Sequence, residues 1–389
     1  MRYALILFLS PFMLHGQSKL ELDNWMHWRG PLRNGTAPKA DPPLKWDQKT
    51  NIKWKVPVPG KGTSTPIILN DRIFLLTAID TGKQARPVDI PKPDPRFRKL
   101  TRAPKTYHQY VVLCLGRKTG KTLWKKVATT QVPHEGHHPT HCFAAFSPTT
   151  DGKHLYVSFG SRGVFCYDLD GNLKWKRSLG LLHTRKGWGE ATSPVIYKDV
   201  LIVNNDHEGD SMLFVLNAKD GTTKWKKPRD EVTSWATPLV VEHEGVTQLI
   251  VHGTDRVRGY DLKTGKVLWA CGGQTVNAIP CPVAKDGVVY CMSGYRGSLA
   301  VAIPLSSRGD ITGKKKIVWR HERGTPYVPS PLSYGDRLYF TARNQGLLSS
   351  LDVKTGKVLI DRARLPESPP IYASPVAAKD RIYIVGRDG

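Results

Sequence analysis

Asp261-Leu262-Lys263-Thr264-Gly265-Lys266-Val267-Leu268-Trp269 holds the end of one strand, a tight polar turn and the start of the returning strand. Gly supplies the positive φ that a short hairpin requires. The Trp falls four residues after that Gly, and the spacing recurs at Gly120 and Trp124, Gly171 and Trp175, and Gly221 and Trp225. A fifth unit carries Trp319 six residues after Gly313, and a sixth has Ile360 where the Trp belongs. Upstream of these turns, a small residue and Pro open each unit: Thr65-Pro66, Ser147-Pro148, Ser193-Pro194, Thr237-Pro238, Cys281-Pro282, Ser330-Pro331 and Ser374-Pro375. The prolines are spaced 82, 46, 44, 44, 49 and 44 residues apart. The first interval is two periods long and contains a Pro-, Lys- and Arg-rich stretch at 84–106, read as a loop insertion.

Between each Pro and its Gly turn lie short β-rich runs such as Arg72-Ile73-Phe74-Leu75-Leu76, Leu201-Ile202-Val203 and Arg381-Ile382-Tyr383-Ile384-Val385. Their alternation and turn flanks mark strands. The unit is therefore four short antiparallel strands with one Trp on the outermost. A lone sheet of that size cannot bury both faces. Copies stacked around an axis can, which predicts an all-β chain folded as a β-propeller with seven repeat units visible. A linear solenoid would have shorter rungs. Trp54 precedes Pro66 by 12 residues, as Trp319 precedes Pro331, so the N-terminal strand around Trp54 is expected to act as an outermost strand that closes the ring on the C-terminal blade. The sequence stops after the second strand of the seventh unit, and the expectation is an eight-bladed full-length protein.

Domains follow as a leader at 1–16, an N-terminal extension at 17–45 and the propeller from 46–389. The leader is read from Arg2 and the apolar run Tyr3–Leu14, which is too short to span a bilayer; an uncleaved anchor is the alternative. The chain is thus expected to be exported and soluble, periplasmic or extracellular. Its 58 Lys+Arg against 33 Asp+Glu give a net charge of +25. Outside the cytoplasm the available polyanions are acidic glycans, lipid headgroups and cell-wall polymers rather than nucleic acid, and a diffusely solvated basic surface is the favoured reading. The partner expected for the chain is an envelope protein segment or an acidic glycan. Export also permits disulfides among the six Cys, and Cys281 and Cys291 are expected on neighbouring strands where they could face each other.

The Asp-x-x-Thr-Gly-Lys-x-x-Trp pattern and the opening Asn24-Trp25-Met26-His27-Trp28-Arg29-Gly30-Pro31 resemble the PQQ-binding-like propellers, which include quinoprotein alcohol dehydrogenases and BamB-like proteins. The resemblance implies a repeat specific for fold, and PQQ with Ca²⁺ as the cofactor if the chain is an enzyme. The vicinal Cys-Cys pair of many such dehydrogenases is absent, and their catalytic Asp and calcium ligands do not map residue by residue onto this sequence, so none is carried over.

In a four-stranded blade, the turns between second and third strands and the blade-to-blade connections emerge on one face. Arg162, Arg256, Arg296, Arg343 and Arg387 fall at such turns, where a ring of guanidinium groups would hold an anion; solvated hairpin arginines are the plainer reading. Arg185, Trp188, Glu190, Trp235, Asn277, Tyr327 and Tyr372 fall in the connections, offering aromatic faces beside cations. His207 sits with Asp206, Glu208 and Asp210 in one acidic loop; these three acids are a speculative Ca²⁺ set, lacking EF-hand spacing. His134, Glu135, His137, His138 and His141 read as a rim loop able to bind a transition metal only if geometry allows. Trp54, Trp124, Trp175, Trp225, Trp269 and Trp319 are assigned to blade packing. No catalytic residue is assigned. The leading expectation is a non-catalytic binding or scaffold propeller. A PQQ-dependent dehydrogenase is the alternative, and a glycan-processing enzyme using Asp206, Glu208 or Glu190 a third.

Overall fold

The computed structural model describes residues 18–92, 94–97, 100–366 and 370–387; the leader lies outside them. The chain folds into seven consecutive antiparallel sheets of a β-propeller. The first contains Ile67–Leu69, Arg72–Gln84, Thr106–Gly116 and Thr122–Gln131, and the second Thr149–Thr150, His154–Ser158, Val164–Asp168 and Leu173–Arg177. Val195–Tyr197, Val200–Asn205, Met212–Asn217 and Thr223–Pro228 form the third, and Leu239–His243, Val246–His252, Arg256–Asp261 and Val267–Gly272 the fourth. The fifth is Val283–Lys285, Val288–Ser293, Leu299–Pro304 and Trp319–His321. The sixth is Leu332–Tyr334, Arg337–Thr341, Leu347–Asp352 and Val358–Arg364, and the seventh has Val376–Ala378 paired with Arg381–Tyr383. The insertion extends the second-to-third-strand hairpin of the first sheet.

Successive sheets pack face to face. One apolar cluster joins Phe74, Leu76 and Val112 of the first sheet to Leu155, Val157 and Phe165 of the second. Equivalent clusters lie between the later sheets, up to the sixth. The repeated Trp and Gly register these layers. The indole of Trp175 donates to Ala218 O (2.9 Å), and a Cβ added at Gly221 (φ 73°) would lie 2.7 Å from that ring. Trp124 meets Leu169 O and Gly171 in the same way, Trp225 meets Leu262 O and Gly265, and Trp319 meets Val353 O and Gly356. Each Trp therefore lies on the Gly turn of the following sheet.

Trp269 departs from this pattern. The next turn, Leu305-Ser306-Ser307, lacks a Gly at the matching place, and the indole turns into its own sheet to bond Gln248 (3.0 Å). Gln248 then donates to Leu305 O (2.7 Å), completing the connection indirectly. Gly309–Asp310, from the fifth sheet's longer turn, pairs parallel to Val267–Gly272.

The small residue before each Pro has a structural role that its recurrence only hinted at. The backbone N–H of Thr65 donates to Ser147 Oγ, that of Ser147 to Ser193 Oγ, and that of Ser193 to Thr237 Oγ1. The sequence continues from Thr237 to the Cys281 sulfur, from Cys281 to Ser330 and from Ser330 to Ser374. Six hydrogen bonds thus link all seven modules, each side chain satisfying the N–H of the preceding unit. Ser193→Ala leaves the Ser147 N–H buried without its acceptor and is expected to cost about 1–3 kcal/mol, read by urea unfolding. Cys281→Ser keeps an acceptor in place and should stay within about 1 kcal/mol of the parent.

Residues 24–37 run across these innermost strands. Trp25 bridges Ile68 of the first sheet, and the N–H of Ala37 donates to Ala377 O of the seventh (2.8 Å). Arg29 is buried and donates to Pro331 O (2.8 Å) and Pro375 O (3.2 Å), while Arg33 reaches Ile196 O (2.9 Å). Next to the seventh sheet, Lys379 and Arg381 bond Asp41, and Trp46 packs on Tyr383. Residues 36–46 therefore make the contacts expected of the strand around Trp54. Trp54 itself behaves as an outermost-strand Trp toward the first sheet, donating to Arg117 O (2.9 Å) and packing on Gly120.

All six Cys are buried thiols. The register Val283↔Tyr290 puts Met292, not Cys291, opposite position 281, so the expected pair points to opposite faces of the sheet.

Candidate functional site: an aromatic cavity over a buried polar layer

Connections between sheets enclose a cavity of about 380 Å³. Its walls include Trp188, Trp235, Tyr295, Tyr327 and Tyr372, with His138 and His141 at one side. Hydrogen bonds fix several of these groups. The Trp235 indole donates to Gly189 O (2.7 Å), and the Tyr327 N–H bonds Arg343 O (3.1 Å). Tyr295 and Tyr327 stack with centroids 4.8 Å apart and planes 27° apart. His141 bonds Glu190 O (3.1 Å), and burial pushes its pKa down to about 4, so it presents a neutral imidazole. Cations lie on three of the lining rings: Lys186 on Trp188, Arg296 on Tyr295 and Arg387 on Tyr372, at 5.3, 5.4 and 4.9 Å. Among the described residues, no carboxylate lines the cavity.

Asp206 sits in a separate buried layer, already engaged. Asp206 and Arg229, both with fully buried side chains, form a bidentate pair at 2.6 and 3.0 Å, and Ser234 adds a bond at 2.7 Å. Burial alone would raise Asp206, but the guanidinium beside it holds its carboxyl below the ordinary range. Glu208 accepts from Thr233, and the Asp210 carbonyl faces His207. Asp206 and Glu208 thus have separate partners, while the Asp210 side chain is exposed.

A different set converges. His134, Glu135 and Glu190 place their ligand atoms within 4.8 Å of one another, the only such group among the described residues. Ser161 donates to Glu190 through Oγ (2.6 Å) and N (2.8 Å), and His134 Nε2 faces Leu182 O at 2.7 Å. With Nε2 held by a carbonyl, His134 is poorly placed as a base toward Ser161 Oγ, 3.3 Å away. Burial, opposed in part by the Ser161 bonds, raises Glu190 to about 7. A carboxyl raised in the folded state loses stability as pH climbs from its unfolded value toward that figure. The loss is about 3 kcal/mol at 1.36 kcal/mol per pH unit, and Glu190→Gln should remove it. Urea midpoints at pH 5 and pH 8 check this.

The arginines do not form a single ring. Arg162 Nη1 bonds Gln131 in the wall (2.7 Å), and Arg256 pairs with Asp310 (2.6 Å). Arg296, Arg343 and Arg387 are exposed. Arg185 is half-buried, its N–H bonded to Thr233, and Asn277 is buried against the Tyr327 phenol. Trp188, Trp235, Tyr327 and Tyr372 meet as their connections suggested. Tyr295, beside Arg296 in the same turn, had only that neighbour to signal it.

Residues 108–360, more than half of the chain, match the family model described as outer membrane protein assembly factor BamB. The chain belongs to this family of PQQ-like repeat propellers. No curated protein matches it by sequence. Among solved structures it is similar to BamB from Moraxella catarrhalis, with 15% identity and a TM-score of 0.53, covering 75% of this chain and 81% of that one. A europium-containing methanol dehydrogenase gives 12% identity and a TM-score of 0.55, covering 94% and 88%. Quinohemoprotein alcohol dehydrogenase from Comamonas testosteroni gives 11% and 0.51, covering 84% and 71%. At these identities the likeness concerns the fold.

Family membership makes the fit of PQQ and its divalent cation a question of donors. A hard cation needs several oxygen ligands, usually carboxylates. The aromatic walls suit a flat ligand, but no carboxylate of the described residues lines the cavity, and Asp206 and Glu190 bond Arg229 and Ser161. Among the described residues the aromatic cavity itself supplies no carboxylate for a cation-assisted quinone site, and the two converging carboxylates, Glu135 and Glu190, sit with His134 instead. Among the described residues, no helix is long and apolar enough to cross a membrane.

Proposed function

We propose that this chain is an exported, non-catalytic binding propeller that uses its aromatic funnel to hold an anionic partner of the cell envelope. One observation carries the reading: five aromatic rings surround a cavity that three cations edge and that no carboxylate of the described residues lines. Aromatic surface supplies contact area, and the cations select against a positively charged partner. Trp188, Trp235, Tyr295, Tyr327, Tyr372, Arg296 and Arg387 are the contact residues in this reading. Immobilised protein exposed to polyglutamate, polygalacturonate and polylysine should retain a polyanion and not polylysine, with binding weakened by salt. Retention of none of them sinks the proposal. The dehydrogenase reading has its own test, titration with PQQ and Ca²⁺ while following cofactor absorbance. Stoichiometric binding together with dye-linked alcohol oxidation would replace the binding reading.

A further inference from the structure

We infer that the cavity is a subsite for an acidic sugar, a uronate ring of a glycan stacked on the Tyr295–Tyr327 platform; the inference rests on the binding reading above. The wall chemistry separates a sugar from an acidic peptide. Only Ala191, Ile279 and Val328 among the lining residues are aliphatic; the others are Trp, Tyr, His and Thr. Such walls combine flat apolar faces with O–H and N–H groups at their margins. A pyranose ring has the matching surface, C–H groups on its faces and hydroxyls around its edge. An aliphatic peptide side chain would fill the space yet leave those margins without partners, which is costly in a desolvated site.

The platform is preformed. Tyr295, from the hairpin turn between the second and third strands of the fifth sheet, and Tyr327, from the connection to the sixth, already stack at 4.8 Å, while Trp235 is held by Gly189 O. A ligand therefore meets rings whose ordering cost is already met by the fold. The charge has a place as well. Arg296 lies on Tyr295, so a ring stacked on the platform brings its carboxylate within reach of a forked guanidinium. Arg387 on Tyr372 offers a second such group to a neighbouring acidic residue of the chain. Arg343 meets the platform only through its backbone O, which a side-chain change leaves in place; its exposed side chain lies on none of the rings and serves as the control.

Calorimetric titration of the full chain with hexagalacturonate, a neutral cellohexaose and a hexaglutamate peptide tests this. Hexagalacturonate should bind with quenching of Trp fluorescence, and each of the other two about tenfold or more weakly. Tyr295→Leu, which keeps apolar bulk and removes the ring, should weaken hexagalacturonate about tenfold, and Arg296→Gln about fivefold with a shallower salt dependence. Arg343→Gln should leave affinity unchanged. Hexaglutamate binding as tightly as hexagalacturonate overturns the sugar assignment and leaves the anion-binding reading intact. Cellohexaose binding as tightly removes the role of the uronate carboxylate. Failure of all three ligands brings down both proposals. Loss of binding in Arg343→Gln equal to that in Arg296→Gln overturns the stacked geometry in favour of diffuse attraction.

Discussion

Arg229→Met is expected to destabilise the propeller by about 3–5 kcal/mol, because it strands a buried carboxylate. The Asp206 and Arg229 side chains are both fully buried, and Asp206 would keep its bond from Ser234 but lose its cation. The pH dependence identifies the cause. In the parent, Asp206 is held below the ordinary carboxylate range, so its contribution is present at neutral pH and is lost as pH falls. Without the guanidinium, burial raises the same group, and ionising it then costs stability as pH climbs. The gap between parent and variant should therefore widen from pH 4 to pH 7 in urea unfolding. Adding Asp206→Asn should recover part of the loss. A constant gap below about 1 kcal/mol would mean that the pair is not what holds this layer together.

Trp175→Ala should cost a similar amount, about 3–5 kcal/mol, because it removes the ring that fills the contact between second and third sheets. Gly221→Ala should also destabilise. It places a Cβ 2.7 Å from that ring, on a backbone at φ 73° where Gly is favoured. The two changes should not add: once the indole is gone the clash disappears, leaving mainly the backbone penalty of about 1 kcal/mol. Additive losses in the double variant would disprove the interlock. Trp54→Ala, at a more exposed ring, should lose only about 1–2 kcal/mol.

The two predictions also mark how far the sequence could be read. Gly221 and Trp225 share one hairpin, and hairpin geometry makes their spacing visible as a repeat. The interlock itself joins Trp175 to Gly221, and the sequence revealed the two partners without revealing that they meet. The Ser/Thr/Cys-Pro modules were legible as a period but not as hydrogen-bonded neighbours, since each bond crosses from one repeat to the next. Asp206 was legible only as an acid in a polar loop. Its partner Arg229 lies 23 residues away at the end of an outermost strand, with no motif to flag it.

The expectation at Trp54 shows the same boundary. Counting to Pro66 identified an outermost-strand Trp, and its indole does pack on the first sheet. Which segment would touch the seventh sheet was not a matter of counting. That contact falls to residues 36–46, because Asp41 meets Lys379 and Arg381, and the N–H of Ala37 finds Ala377 O.

From the amino acids alone, then, come the repeat, the strand count of each unit, the recurring Trp and Gly of each hairpin and the aromatic character of the connections. All of these are set by periods of a few residues to one blade, over which chain geometry is local. Tertiary structure decided which acids are silenced by buried cations, which arginines reach aromatic rings, and that His134, Glu135 and Glu190 converge. These depend on loops brought together across neighbouring sheets, where a few ångströms separate a ligand-facing group from one already satisfied within the wall.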